Sequence, residues 1–203
     1  MTLAASAARG TFSPIVALTP ELILSAYRRG TFPMADPGDG SVAWYDADPR
    51  GIIPLDAPHV PRRLRRYMKQ FEFAFDRDFE GVIDGCARPV TWISREIREA
   101  YVALHRQGHA HSVEAWKDGK LAGGLYGVHL AGAFMAESMF HARSNASGAC
   151  VVRLVDHLQE RGFVLLDIQQ VLPNTARLGA VEIRRAEYLR RLDEALRLTS
   201  LKW

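Results

Sequence analysis

Two carboxylates and one amide lie where the sequence predicts apolar β-strands. Glu137 falls within AFMAESMF, and Asp167 falls within VLLDIQQV, with Gln169 two residues further on. Because side chains in a strand alternate with a period of two, Asp167 and Gln169 are predicted to share a face. A carboxylate in such surroundings is costly unless it is paired or hydrogen-bonded, so each is a candidate site residue. The alternative is a structural charge satisfied by an arginine or by backbone N–H groups, but two acids and an amide together favour function.

A short basic segment is the second candidate site. Residues 61–69 read PRRLRRYMK and carry a charge of +5, whereas the whole chain carries +3. Pro61 is a suitable first residue for a helix, and a helix here places the basic residues largely on one face. Such a face either is simply solvated or contacts phosphates, for which arginine offers a bidentate fork. The five candidate phosphate contacts are Arg62, Arg63, Arg65, Arg66 and Lys69.

Other reactive side chains give weaker signals. His109 and His111 could form a zinc pair, but no third ligand has a convincing spacing, so a structural role is favoured. Cys86 and Cys150 fall on apolar helix faces and are predicted to be packing residues rather than nucleophiles. Trp92 lies in a loop-rich region, where it either belongs to the core or stacks on a base or substrate.

Local patterns predict the elements that would position these residues. Capping signals begin helices after Thr19, Ser94 and Asn145. Residues 31–60 are rich in Pro, Gly and Asp and are predicted as ordered loops with one short strand near 41–45. The pair Asp118-Gly119 is typical of a tight hairpin turn, here joining the first two of three antiparallel strands. Further strands are predicted at 71–76 and 163–171, and further helices at 78–86, 175–178 and 184–196.

Composition and element order restrict the class of protein. The chain has 203 residues, of which 48% are hydrophobic and 24% charged, which is ordinary for a globular protein with a real core. The run of strands, helix, strand and helices after a small helical N-terminal part indicates an α+β fold. No apolar stretch is long enough to span a membrane, and the first residues lack the basic and apolar regions of a secretory signal. Two cysteines make no disulfide framework, so a cytoplasmic protein is expected.

An ordered series of short motifs identifies a family. The chain contains GHAHSVEAW (108–116), GGLYGV (123–128), ESMF (137–140), NAS (145–147), DIQ (167–169) and LGAVEI (178–183). It also contains AYRRGTFP (26–33), DPR (48–50) and TWIS (91–94). Each motif is weak by itself, but in this order the chain resembles the bacterial leucyl/phenylalanyl-tRNA–protein transferases from about residue 22 to residue 192.

The resemblance implies a fold and a reaction. It implies a catalytic domain similar to the N-acetyltransferase (GNAT) fold over residues 71–203, beside a small N-terminal domain over residues 1–70 that includes the basic helix. The implied reaction transfers Leu or Phe, with Met a further candidate, from aminoacyl-tRNA to the α-amine of a protein that begins with Arg or Lys. In the family the product is a degradation signal. Because the donor ester is already activated, no metal or organic cofactor is expected.

The resemblance also assigns roles to residues. By the DIQ motif, Asp167 and Gln169 would relay and orient the attacking amine, and Glu137 would help to hold the acceptor N-terminus. Trp92 would lie near the terminal adenosine, and the basic helix would contact the tRNA acceptor stem. An apolar pocket for the donor side chain would be formed by Leu125, Phe134, Val151, Leu154 and Leu166.

Two other functions remain open at this point. The first is an acyl-CoA-dependent N-acyltransferase, which rests on fold analogy alone. The loop RSNASGA (143–149) lacks the usual spacing of a pyrophosphate-binding loop for that class. The second is a non-enzymatic tRNA-binding module, which would leave the acids in the apolar strands unexplained. The protein is expected to act as a monomer with no membrane partner.

Overall fold

The computed structural model describes residues 18–87 and 91–203. Within them the chain forms seven α-helices and nine β-strands. The helices are α1 (Pro20–Arg28), α2 (Arg62–Met68), α3 (Phe79–Cys86), α4 (Arg95–Arg106), α5 (Ala146–Glu160), α6 (Pro173–Ala176) and α7 (Arg185–Leu196). The strands are β1 (Phe32–Ala35), β2 (Val42–Tyr45), β3 (Arg50–Ile52), β4 (Glu72–Phe75), β5 (Ala110–Lys117), β6 (Lys120–Leu130), β7 (Ala133–His141), β8 (Leu165–Gln169) and β9 (Val181–Ile183). The N-terminal stretch predicted to lack a secretory signal lies outside the described residues.

Side-chain caps begin two of the helices where the sequence predicts them. The Thr19 hydroxyl accepts a hydrogen bond from the Leu22 backbone N–H at 3.3 Å, and the Ser94 hydroxyl accepts one from the Ile97 N–H at 3.3 Å. Each bond satisfies one of the N–H groups that a helix leaves without a partner in its first turn. Asn145 stands at the start of α5, but with φ +67° and no capping bond from its side chain. It contributes a left-handed turn, which Asn tolerates better than most residues.

A mixed seven-stranded sheet organises the chain. Its strand order is β4-β5-β6-β7-β8-β3-β9. Strands β5, β6 and β7 form the predicted antiparallel trio, and Asp118 and Gly119 make the predicted turn with φ +52° and +70°. Strand β8 runs parallel to β7, and α5 is the crossover between them. The prediction of mixed helices and strands is therefore confirmed.

The segment from residue 31 to residue 60 contains more structure than the sequence predicts. The predicted short strand is β2, but β1 pairs with it to make a separate two-stranded sheet. Strand β3 is also unpredicted and lies between β8 and β9 in the large sheet. Strands of three or four residues are too short to show a period in the sequence. Because β3 and α2 both precede residue 70, the N-terminal segment is partly built into the larger sheet and its helical cover, rather than lying wholly beside them.

The two faces of the large sheet carry two hydrophobic clusters. The first cluster joins the sheet to α1, α3, α4 and α7, and it includes Tyr27, Tyr101, Tyr126 and Tyr188. The second joins the opposite face to α2 and α5. Within residues 18–87 and 91–203, no helix has both the length and the apolar character that crossing a bilayer requires.

Candidate active site

A β-bulge in β7 presents Glu137. The register with β6 pairs Tyr126 with Ser138 and Gly127 with Ala136, so Glu137 is the extra residue of the bulged strand. Gly127 permits this close approach, because a Cβ there would lie 2.3 Å from the Met135 carbonyl oxygen. Bulges are frequent beside active sites, where they redirect a side chain that would otherwise follow the strand alternation.

The end of β8 brings Gln169 to the same place. Its backbone is left-handed, with φ +58°, and its N–H donates to Asp167 Oδ1 at 2.9 Å. The side-chain Nε2 of Gln169 donates to Glu137 Oε1 at 3.2 Å. The structure therefore brings together all three residues that the sequence singled out. Gln169 reaches the site through the local turn that Asp167 fixes, rather than through regular strand alternation.

Asp167 is held by a buried arginine that the sequence analysis did not single out as a site residue. Arg50 is 1% exposed and Asp167 is fully buried. Arg50 Nε and Nη2 donate to Asp167 Oδ1 and Oδ2 at 2.9 Å and 2.6 Å. The Tyr188 hydroxyl donates to Oδ2 at 2.8 Å, and the Gln169 N–H completes the set on Oδ1. With two donors on each oxygen, Asp167 fits an orienting role and has no position left for a substrate proton.

Arg50 itself is enclosed on every side by its neighbours. Its guanidinium lies 4.9 Å from the centre of the Phe32 ring and 4.4 Å from that of Tyr188. Its Nη1 donates to the Gly30 carbonyl at 3.1 Å. The only sequence signals for this residue are the DPR motif and an arginine preceding an apolar run, because its carboxylate partner is 117 residues away.

Glu137 has fewer donors than Asp167, and burial controls its charge. The Tyr101 hydroxyl donates to Oε2 at 3.2 Å, and the Tyr27 hydroxyl lies 2.5 Å from that of Tyr101. Removal from water raises the pKa of Glu137 to about 7, against hydrogen bonds from both tyrosines that lower it. A carboxylate with this pKa exchanges a proton readily at neutral pH and can also bind an amine. Neither tyrosine stands out in the sequence, because each has the pattern of an ordinary aromatic residue on an apolar helix face.

The five residues expected to form the aminoacyl pocket lie together in the second cluster. They come from β6, β7, α5 and β8, and none is more than 7% exposed. They pack on the face of the sheet opposite to the cluster that contains Tyr27 and Tyr101. The ring of Phe134 also stacks on the ring of Trp203, with ring centres 4.9 Å apart. The five residues are Leu125, Phe134, Val151, Leu154 and Leu166.

The structure also shows where Trp92 and the basic helix α2 lie. Trp92 is partly buried against the first cluster, and its carbonyl accepts from the Ala35 N–H at 3.1 Å. Helix α2 buries Leu64 near α5 and exposes its basic side chains. Among the described residues, no carboxylate lies within ion-pair distance of these basic side chains. The basic residues are Arg62, Arg63, Arg65, Arg66 and Lys69.

The histidines form a different arrangement from the predicted pair. His111 contacts Asp76 through Nδ1 at 2.7 Å and the Gly108 carbonyl through Nε2 at 3.2 Å. Nδ1 of His105 contacts the Ala110 carbonyl at 2.8 Å. Asp76, His105 and His111 offer donor atoms within 4.8 Å of one another, so they are the group among the described residues that could hold a metal ion. These hydrogen bonds nevertheless favour the structural role expected for His111.

Comparisons with known proteins give the family. A sequence model of the leucyl/phenylalanyl-tRNA protein transferase matches residues 52–193, and one of its N-terminal domain matches residues 17–48. A leucyl/phenylalanyl-tRNA–protein transferase of Rubrobacter xylanophilus is 57% identical over 89% of this chain and 96% of that protein. One of Ruegeria pomeroyi is 50% identical over 89% of this chain and 88% of that protein.

One solved structure has a distant likeness to this chain. It is the C-terminal domain (DUF2156) of a putative lysylphosphatidylglycerol synthetase from Agrobacterium fabrum. The match covers 90% of this chain and 58% of that one, with a TM-score of 0.41 and 11% identity. The sequence relationships are close and nearly full-length, and by them the chain belongs to the leucyl/phenylalanyl-tRNA–protein transferase family and is an aminoacyltransferase.

Proposed function

We propose that the protein transfers Leu or Phe from aminoacyl-tRNA to the α-amine of proteins that begin with Arg or Lys, and that the product is marked for degradation. Met is a further candidate donor. The observation that carries this proposal is the contact between Glu137 Oε1 and Gln169 Nε2, at 3.2 Å, in which the Glu137 carboxyl group has a pKa of about 7. This pair offers both a negative charge and a neutral amide to an incoming amine.

The reaction requires the two reactants to be oriented more than it requires either of them to be activated. The donor is an ester, and the nucleophile is an α-amine with an ordinary pKa of about 8, so modest base assistance is enough. Glu137 and Gln169 hold the amine, and Asp167 fixes the backbone of Gln169. In the transfer, the C–N bond forms, the ester C–O bond breaks, and one proton passes from the nitrogen to the ribose oxygen. Positioning of the two reactants supplies much of the rate.

Charge and apolar surface account for the proposed specificity. We assign the donor side chain to the five apolar pocket residues of the second cluster, which suit Leu and Phe. Because these residues are at most 7% exposed, their side chains would have to separate to admit it. The charge of Glu137 favours an acceptor whose first residue is Arg or Lys. We assign contact with the acceptor stem to α2 and contact with the terminal adenosine to Trp92. Phosphate contacts carry no sequence information, which lets one enzyme accept several tRNAs.

The proposal also covers the two parts of the chain, the oligomeric state and the cellular compartment. The antiparallel β5–β6–β7 run, followed by α5 and the parallel strand β8, supports a GNAT-like catalytic part over residues 71–203. Residues 1–70 form the N-terminal part and contribute β3 to the shared sheet. The enzyme acts as a monomer, in the cytoplasm where its charged tRNA is supplied.

A transfer assay tests the proposal. The protein is incubated with radiolabelled Leu-tRNA or Phe-tRNA and with peptides that begin with Arg, Lys or Ala, and products are identified by mass spectrometry. Label is expected on the α-amine of the Arg and Lys peptides, and Glu137→Gln should lower kcat/KM by roughly 100-fold. Failure of every donor to label any peptide, while a known transferase labels them in parallel, would defeat the proposal. A product formed only with acetyl-CoA would replace it with the N-acyltransferase function.

A further inference from the structure

Two buried tyrosines connect Glu137 to the helical layer behind it. Tyr27 on α1 and Tyr101 on α4 are fully buried, and their hydroxyl oxygens lie 2.5 Å apart. The Tyr101 hydroxyl donates to Glu137 Oε2 at 3.2 Å, whereas Oε1 faces Gln169 Nε2. The carboxylate therefore has a side supported by tyrosines and a side turned toward the amide that would hold the substrate.

Glu137 is the carboxylate of this site that can accept a proton. Asp167 already has two donors on each oxygen, and two of the four come from the buried guanidinium of Arg50. On Glu137 Oε1 the described residues place one donor, Gln169 Nε2, so that a lone pair remains for an N–H of the substrate. An amine held by Gln169 is thus within reach of this oxygen.

The charge on Glu137 depends on groups from every element that surrounds it. Burial and, to a smaller extent, the negative charge of Asp167 on β8 raise its pKa, and the net result of all these groups is a pKa of about 7. Hydrogen bonds from Tyr27 and Tyr101 and the positive charge of Arg50 on β3 oppose that rise. Tyr126 on β6 packs its ring edge-on against Tyr101, with ring centres 5.5 Å apart, and its hydroxyl has no hydrogen-bond partner within residues 18–87 and 91–203. The two hydroxyls of α1 and α4 therefore favour the ionised carboxylate from its helical side, as the Gln169 amide does from the substrate side.

We propose that Tyr27 and Tyr101 are positioning residues of the transfer site, whose paired hydroxyls keep Glu137 ionised so that it takes the proton of the acceptor amine. This inference rests on the proposed function. The neutral amine attacks the ester carbonyl carbon and a C–N bond forms. Glu137 takes one proton from the nitrogen, the C–O bond to the terminal ribose breaks, and Glu137 passes its proton to the ribose oxygen. Glu137 ends the cycle ionised, so atoms and charge balance.

The test removes the hydroxyls one at a time and together. In Tyr101→Phe the Tyr27 hydroxyl can still hydrogen-bond to Glu137, so a partial effect is expected, and the full effect belongs to the double variant Y27F/Y101F. Tyr126→Phe is the matched control, because it removes a buried tyrosine hydroxyl from the same cluster without removing a hydrogen bond. Near-UV circular dichroism verifies that each variant keeps its packed core.

Two readouts are compared across these variants. The first is the carboxyl 13C titration of glutamate-labelled protein, in which the resonance missing from Glu137→Gln identifies Glu137. The second is the pH dependence of kcat/KM with Phe-tRNA and an Arg peptide. In the double variant both the titration midpoint and the acid limb of the rate profile are expected to move up by about one pH unit. The Tyr126→Phe profile should match that of the wild type.

The outcomes separate this inference from the proposed function. If the wild type transfers Phe and the Glu137 midpoint is the same in the double variant, the role of the tyrosines is wrong and the proposed function stands. The role of the tyrosines is also wrong if the Glu137 titration midpoint moves in the double variant but the acid limb of its kcat/KM profile does not. If the wild type transfers nothing, the proposed function is wrong, and the inference is wrong with it.

Discussion

At the scale of single residues, two carboxylates in one site differ in what their surroundings allow. Asp167 is bonded to a buried guanidinium, and its removal would leave Arg50 as an uncompensated charge in the core. Such a loss typically costs about 3–5 kcal/mol of stability, so a low activity of Asp167→Ala would reflect lost folding as well as lost orientation. Glu137 is partly buried and has no cation in direct contact among the described residues, so its replacement reports on the chemistry more cleanly.

The raised pKa of Glu137 makes a prediction about stability and pH. Its native pKa is about 7, above the ordinary value of 4.5, so the native state binds a proton that the unfolded state has lost between these pH values. The contribution of Glu137 to the free energy of unfolding is fully present below pH 4.5 and is lost as the pH rises through 7. Glu137→Gln cannot titrate, so between pH 4.5 and 8 its free energy of unfolding should gain about 2–3 kcal/mol relative to the wild type.

Urea unfolding at several pH values measures this difference. Glu99→Gln is the control, because Glu99 is 64% exposed and pairs loosely with Arg95 at 3.7 Å. A gap between wild type and Glu137→Gln that stays constant from pH 4.5 to pH 8 would show that burial does not raise the pKa of Glu137. This result would also remove one of the observations that support a role for Glu137 in proton transfer.

At the scale of elements, the bulge in β7 depends on a glycine in the facing strand. A Cβ on residue 127 would lie 2.3 Å from the backbone oxygen of Met135 and 2.5 Å from the ring of Phe134. The oxygen cannot move aside without separating β6 from β7. We therefore expect Gly127→Ala to lower the free energy of unfolding by roughly 2–3 kcal/mol and to displace Glu137. A displaced Glu137 should lower kcat/KM by roughly 100-fold.

A second glycine provides the control for this prediction. A Cβ on Gly148, in α5, would meet Leu64 at an ordinary 3.6 Å. Gly148→Ala is expected to raise stability by up to about 1 kcal/mol, since alanine favours a helix. Chemical unfolding and transfer kinetics are measured for both variants. A Gly127→Ala protein with unchanged stability and kinetics would show that the bulge is not needed to place Glu137.

The elements also show what a sequence can and cannot predict. Helices α4 and α7 and the β5–β6–β7 trio were predictable, because their apolar periods and turn signals extend over many residues. Strand β3 has three residues and no period, yet it supplies Arg50. The pair Tyr27–Tyr101 joins residues 74 apart, and neither helix signals that contact. Unusual residue types in strands thus revealed Glu137, Asp167 and Gln169, whereas the groups that set their charges became visible only with the packing.

At the scale of the whole molecule, the basic residues fall into two kinds. On α7 and directly after it, arginines are paired with nearby acids, as in the contacts of Arg190 with Glu187 and Glu194 and of Arg197 with Asp193. On α2, the described residues place no acid beside the exposed cations, although the chain as a whole is only +3. Unpaired cations on one face attract a polyanion, whereas paired ones largely cancel. Removal of the unpaired cations of α2 and removal of paired cations elsewhere should therefore have different consequences.

Two triple variants with the same change in net charge test whether α2 contacts tRNA. R62Q/R65Q/R66Q removes cations from α2, and R95Q/R190Q/R197Q removes exposed cations that are paired with acids. If α2 contacts tRNA phosphates, the first variant should weaken tRNA binding and reduce the slope of log affinity against log salt by about 2 to 3, since each phosphate contact contributes about 0.7–0.9. The second variant should bind with a nearly unchanged slope, because its arginines face carboxylates.

Filter binding of Phe-tRNA between 50 and 200 mM salt (roughly the range in which such contacts are resolved) measures both slopes. Equal losses in the two variants would indicate that net charge, and not α2, determines tRNA binding.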